Sequence, residues 1–281
     1  MKRAVSVSLG SPTRDKGVTL DLGGESVRLE RRGTNGDVRA AQELFRDLDG
    51  TVDALGVGGF ELSVRIDRRE FPLRAGWKLL KFVQRTPATD GRNLRWHLER
   101  RTFRRLATQG HSLRFKHAFM VSGADRYALA QAIAEVSDSV TFGDFMFTFG
   151  LPIPLRSLRS LRALAFVVLP VARWLPASML YPTGHRQEQI VPKFGSHWKR
   201  ADVIAGDFHY IRRHLPDDLH GKTIVTNTTT EDDIELLRSR GARRLITTTP
   251  QLQGRSFGTN ALEAALTARA GLGRNLTDDE L

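Results

Sequence analysis

The run Gly206-Asp207-Phe208-His209-Tyr210 sets a carboxylate two residues before an imidazole at the close of a short apolar stretch. That spacing suits proton transfer. Asp207 can orient His209 or a substrate hydroxyl, and His209, whose ordinary pKa lies near neutrality, can serve as general acid or base. The plainer role for Asp207 is to cap a following helix while His209 packs. Further along, Gly254-Arg255-Ser256-Phe257-Gly258-Thr259-Asn260 leads into an apolar run from Ala261. Glycines that admit a ligand to the backbone, free N–H groups at a helix start and one guanidinium together make an anion site. Arg255 would pair there with a carboxylate or phosphate, and Ser256, Thr259 and Asn260 would add hydrogen bonds, unless Asn260 only caps the helix. Asn227 and Thr228 are placed to bind hydroxyls or a carboxylate, and Thr247 and Thr248 carry hydroxyls that orient rather than catalyse. Tyr181 opens a polar turn over 181–189 and is a further substrate-binding candidate.

Such residues need a scaffold that brings them together. Three apolar runs, at 202–207, 222–230 and 243–250, each end in small polar or charged residues and are separated by helix-like segments. This is the alternation of a parallel sheet, in which ligands gather outside the carboxyl ends of the strands. Thr230 with Asp233 forms a capping box before a helix. Nearer the amino terminus the pattern predicts strands at 4–9, 17–22, 25–31 and 52–57, and a helix over 37–48 with Asp37 as N-cap. The fold class is therefore α/β: two Rossmann-like lobes with mostly parallel sheets and a central cleft. The expected lobes are 1–160 and 186–281, joined by an apolar connecting segment over 161–185. Gly143-Asp144-Phe145 echoes Gly206-Asp207-Phe208, as if each lobe presented a matching turn to the cleft.

Composition narrows the chemistry. With 281 residues, 40% of them hydrophobic, the chain can bury a large core. It has no Cys, which excludes disulfide scaffolds, thiolate metal sites and cysteine nucleophiles. No His-x-x-x-His or converging carboxylate cluster predicts a metal. The amino-terminal run is too short for a signal peptide, so a cytoplasmic location is expected. The formal charge of +12 is concentrated between residues 65 and 116, which hold 15 Lys and Arg against 4 Asp and Glu. On a helical wheel Arg100, Arg101, Arg104 and Arg105 share one side with His97, which is either a solvated face or one that binds nucleic acid or another polyanion. The apolar stretch from 161 contains Arg162, Pro170 and Arg173; it suits a buried helix better than a stable transmembrane anchor.

The motifs Tyr181-Pro182-Thr183-Gly184, Ala205-Gly206-Asp207-Phe208-His209, Thr226-Asn227-Thr228-Thr229-Thr230, Thr247-Thr248-Thr249-Pro250 and Gly254-Arg255-Ser256-Phe257-Gly258-Thr259-Asn260 resemble a bacterial family labelled quinate 5-dehydrogenase. Val5-Ser6-Val7-Ser8-Leu9-Gly10 and Leu151-Pro152-Ile153-Pro154-Leu155-Arg156 are also similar to that family. The resemblance implies NAD- or NADP-dependent oxidation of a quinate- or shikimate-like hydroxy acid, a small anionic metabolite. The same cleft in a non-catalytic protein would bind or sense such a ligand. The nearest glycine-rich run, Gly56-Val57-Gly58-Gly59-Phe60-Glu61, is followed by an expected strand over 61–66 rather than by the helix of a usual dinucleotide fingerprint.

Overall fold

A computed structural model describes residues 1–111, 113–174, 189–252 and 255–281, with the backbone alone at 251, 252, 255 and 256. The chain begins with β1 (Lys2–Ser8), β2 (Lys16–Asp21) and β3 (Ser26–Gly33), then α1 (Val38–Leu48) and β4 (Ala54–Gly58). A hairpin of β5 (Ser63–Ile66) and β6 (Arg69–Pro72), the short α2 (Arg74–Leu79) and β7 (Ala88–Thr89) complete the first half. The sheet runs β2-β3-β1-β4-β7, parallel throughout except for the antiparallel β2–β3 pair. Alternation explains how β1 is buried on both faces. Val5 and Val7 meet Phe45 and Leu48 of α1 on one side, while Ala4 faces a helix from the far end of the chain. The predicted cap of α1 is present: Asp37 accepts hydrogen bonds from the N–H groups of Arg39 and Ala40.

The second sheet draws on the rest of the chain. After α3 (Arg92–Thr108) come β8 (Phe115–Met120), α4 (Tyr127–Glu135), β9 (Ser137–Phe142), α5 (Asp144–Phe149) and α6 (Leu158–Ala172). Then follow α7 (Gly195–Arg200), β10 (Val203–Ala205), α8 (Phe208–His214), β11 (Thr223–Thr226), α9 (Glu231–Ser239) and β12 (Arg244–Thr247). All five strands are parallel, in the order β12-β11-β10-β8-β9. Met120, Val203 and Val225 pack with α3, α4 and α6 on one face, and Phe119, Ile204 and Ile224 pack with α7, α8 and α9 on the other. The chain closes with a two-residue ladder of β13 (Gln251–Leu252) and β14 (Arg255–Ser256), then α10 (Thr259–Ala270).

The fold class agrees with expectation: the protein is α/β with two mostly parallel sheets. The strands do not divide at 161–185. Strands on both sides of that segment belong to one sheet, and the chain passes between the sheets at α3. Leu161, Ala165 and Leu169 of α6 are buried against the second sheet, so the apolar run reflects burial within a lobe. Among the described residues no helix is long and apolar enough to cross a membrane. The carboxyl-terminal α10 returns to cover the first sheet, where Ala261, Ala264, Ala265 and Ala268 pack on Ala4, Leu29 and Ala54. Gly56 permits this approach, because a Cβ there would stand 2.8 Å from the carbonyl oxygen of Asn260. The glycines of β4 thus serve helix packing.

Candidate functional site

Asp207 follows β10 at the carboxyl edge of the second sheet and caps α8, accepting from the N–H of His209 at 2.9 Å. Its other oxygen accepts from Asn227 Nδ2 at 2.9 Å and pairs with the Arg126 guanidinium. Arg126 stands in the loop between β8 and α4, almost fully buried, and also holds Glu99 of α3 at 3.2 Å. Burial works to raise the Asp207 carboxyl, but the charge of Arg126, with His209, outweighs it and holds the group down to about 2. Asp207 is thus ionised at neutral pH. His209 is exposed beside it.

One residue before Arg126, Asp125 behaves in the opposite way. Burial pushes its carboxyl up to about 7, with Glu61 and Asp207 adding to the rise and Arg126 and a 2.6 Å hydrogen bond from Ser122 opposing it. The loop carrying these residues is gripped from its other side by Asp144, which accepts from the backbone N–H groups of Gly123 and Ala124 at 2.9–3.1 Å. Here the Gly-Asp-Phe echo finds its place. Both copies lie in the second sheet, not one in each lobe: Asp144 follows β9 and Asp207 follows β10, and together they bracket the loop after the intervening β8.

The first lobe adds charged groups to the same cluster. Glu61, just beyond β4, pairs with Arg95 of α3 at 2.6 Å, and Asp90, just beyond β7, accepts from the N–H of Leu62 at 2.6 Å and pairs with Arg92. Arg92, Arg95 and Glu99 form an inward stripe on α3 at helical spacing. Burial works to lower the pKa of Arg95, yet Glu61, Glu99 and Asp90 together raise it. Burial also raises Tyr210, as do Asp125, Asp207 and Glu61. Residues that follow strands of both sheets therefore share one electrostatic cluster of four carboxylates (Glu61, Glu99, Asp125, Asp207) and two arginines (Arg95, Arg126). Among the described residues Arg126 Nε and Glu61 Oε2 within it are buried without hydrogen-bond partners, and the hydroxyls of Thr229 and Thr249 beyond β11 and β12 share that condition. Among the described residues no group of three or more His, Asp or Glu is arranged to hold a metal ion.

The residues singled out from sequence distribute unevenly around this cluster. Asp207 and Asn227 are in it, and Asn227 Oδ1 also accepts from the N–H of Phe208 at 3.1 Å. Thr228 lies next to Asn227, and Thr247 and Thr248 end the neighbouring strand, where the N–H of Thr248 bonds to the Thr226 carbonyl. Thr259 and Asn260 begin α10 on the first sheet instead, and Asn260 Nδ2 donates to Ser6 Oγ at 2.6 Å; Gly258 is the residue at the N-cap position. Arg255 and Ser256 lie in β14, and their side chains, like Tyr181, fall outside the described residues. Arg100, Arg101, Arg104 and Arg105 are exposed on α3, opposite its inward stripe. Sequence reading missed Glu61, Arg95, Glu99, Asp125 and Arg126. The Arg95–Glu99 pair at i,i+4 was a visible signal, overshadowed by the outward arginines of the same helix.

The strand-to-helix turn of a usual dinucleotide site is missing after β1 and β4. β1 leads into a 3-10 turn and an antiparallel strand, and β4 leads into the β5–β6 hairpin. In the second sheet the chain's own side chains take backbone N–H groups at three of the strand ends: Asp144 at the β8 loop, Asp207 at α8, and Thr230 with Asp233 at α9. A family model described as Domain of unknown function (DUF8754) matches residues 93–281. The chain belongs to that family. A second model, described as Domain of unknown function (DUF8753), matches residues 3–90. The junction falls where the backbone leaves the first sheet at Gly91. Searches of curated proteins and of solved structures returned no match.

Proposed function

We propose that the crevice at the carboxyl ends of the two sheets binds a small hydroxylated metabolite and that Asp125 exchanges a proton with one of its hydroxyls. The observation that carries this reading is the split between two neighbouring carboxyls, Asp125 near 7 and Asp207 near 2. Environments that push paired acids apart assign one as proton carrier and the other as fixed charge. Asp125 can give or take a proton at neutral pH, where a general acid or base works best. Asp207, kept ionised by Arg126 and steered by Asn227, would accept a hydrogen bond from a second hydroxyl and orient the ligand. The hydroxyls of Thr229 and Thr249 and the Nε of Arg126, unpartnered among the described residues, give further capacity for a polar guest. A quinate- or shikimate-like hydroxy acid matches this chemistry, with Arg255 as carboxylate partner on the sequence argument alone.

Isothermal titration of the full chain with quinate and shikimate tests the reading. Saturable binding that Asp125→Asn weakens about tenfold or more supports it, and nicotinamide absorbance with NAD+ or NADP+ in the same samples reports hydride transfer separately. Equal affinity in wild type and variant would contradict it. A second reading, polyanion binding, is favoured by the four exposed arginines on one face of α3. It requires log affinity for nucleic acid to fall linearly with log salt, by about 0.9 per neutralised phosphate. Replacing those four arginines by Glu should then abolish binding.

A further inference from the structure

At the outer edge of the second sheet, away from the strand ends, a recess of about 190 Å³ is lined by His117, Ser139, Thr141, Arg156, His197 and Arg200 together with apolar side chains. Its floor is a consequence of register. His117 pairs with Ser139 and Phe119 with Thr141 across β8 and β9, so these four side chains project from one face. β9 is the edge strand. α7 roofs the recess with His197 and Arg200, and Arg156, just before α6, closes its rim. The His197 ring is set by stacking on Phe119, with centroids 5.6 Å apart.

We propose that this recess is a second ligand site, selective for a phosphate monoester. Its lining holds two guanidiniums, two imidazoles and two hydroxyls, and no carboxylate. The nearby acid, Asp202, is committed to the backbone N–H groups of Lys116 and His117. Among the described residues neither Arg156 nor Arg200 has an ion-pair partner, and both depress the pKa of His197 alongside burial. Like charges gathered round one hollow without a counter-ion are the arrangement that a tetrahedral dianion relieves, and guanidinium geometry suits its paired oxygens. Ser139 gives its single hydroxyl proton to the Lys116 carbonyl at 3.1 Å, so it accepts from His117 Nδ1 at 2.7 Å. In a neutral His117 the proton then sits on Nδ1 and Nε2 is an acceptor, so the donors for a dianion are the two guanidiniums and the Thr141 hydroxyl. The surrounding volume accommodates a small organic group beyond the phosphate.

Calorimetric titration of the full chain at low ionic strength with inorganic phosphate, and separately with glycerol 3-phosphate, tests the assignment. Saturable one-to-one binding is expected, tighter for the monoester. Replacing Arg156 and Arg200 together by Ser should weaken it at least tenfold, while the melting temperature and any binding of quinate stay as in wild type. Both arginines are exposed, so the fold does not depend on them. Absence of saturable binding, or binding that survives the double substitution, overturns the proposal. A His197→Gln variant that keeps its fold but loses affinity would place the ligand under α7 rather than on the open surface.

Discussion

Arg126 holds two carboxylates, Asp207 and Glu99, with its own side chain only 8% exposed. Removing it strands both, and an uncompensated buried charge is costly. Arg126→Ala should lower stability by about 3–5 kcal/mol in denaturant unfolding; a loss below about 1 kcal/mol, the level of a surface pair, would show that the carboxylates are solvated. Asp125 and Asp207 make opposite contributions as pH changes. Between the ordinary carboxyl value of 3.8 and about 7, folded Asp125 keeps a proton that the unfolded chain has shed, so stability falls as pH rises through that window. Asp207, held near 2, contributes stability above 3.8 that is lost as pH falls towards 2. Asp125→Asn should reduce the first slope, leaving the part that Asp144, raised by burial to about 6, contributes, and leave the second. Urea midpoints across this range would show it, and an unchanged profile would place the Asp125 pKa in the ordinary range.

Among the elements, α3 and α10 are locked by one side chain. Glu263 of α10 accepts from the N–H of Leu94 in the first turn of α3 at 2.8 Å and from Thr89 Oγ1 at 2.5 Å, supplying the cap that Gly91 cannot. Burial raises its pKa, against those two hydrogen bonds. Glu263→Ala should cost about 1–3 kcal/mol and loosen amide protection in the first turn of α3; protection left intact would mean that packing alone holds the helix. The individual elements were largely legible in the sequence. Hydrophobic period and caps located α1, β1 to β4, β10 to β12 and the Thr230–Asp233 capping box, because those signals are local. Glu263 was not legible, since a buried Glu serving a helix 169 residues away looks like an ordinary polar residue on an amphipathic run. Asp125 was missed for a related reason: its significance comes from Arg126, Glu61 and Asp207, which only the fold brings near.

For the whole molecule, order along the chain and order in space diverge. α10 covers the first sheet after the chain has built the second, so the division at 161–185, read from apolarity, did not match the strands. The 3–90 segment contains every strand of the first sheet but lacks α10. Expressed alone, it should be unfolded or aggregated, and fusing residues 257–281 behind it should restore cooperative unfolding; a folded 3–90 fragment would show that α10 is dispensable. The charge cluster likewise needs both lobes, since Glu61 from the first helps to raise Asp125 in the second. The most direct test of this account is a carboxyl ¹³C NMR titration of the aspartates in the intact protein. It predicts a resonance titrating near 7 that disappears in Asp125→Asn and shifts to lower pH in Glu61→Gln, whereas an Asp125 midpoint in the usual carboxylate range would contradict it.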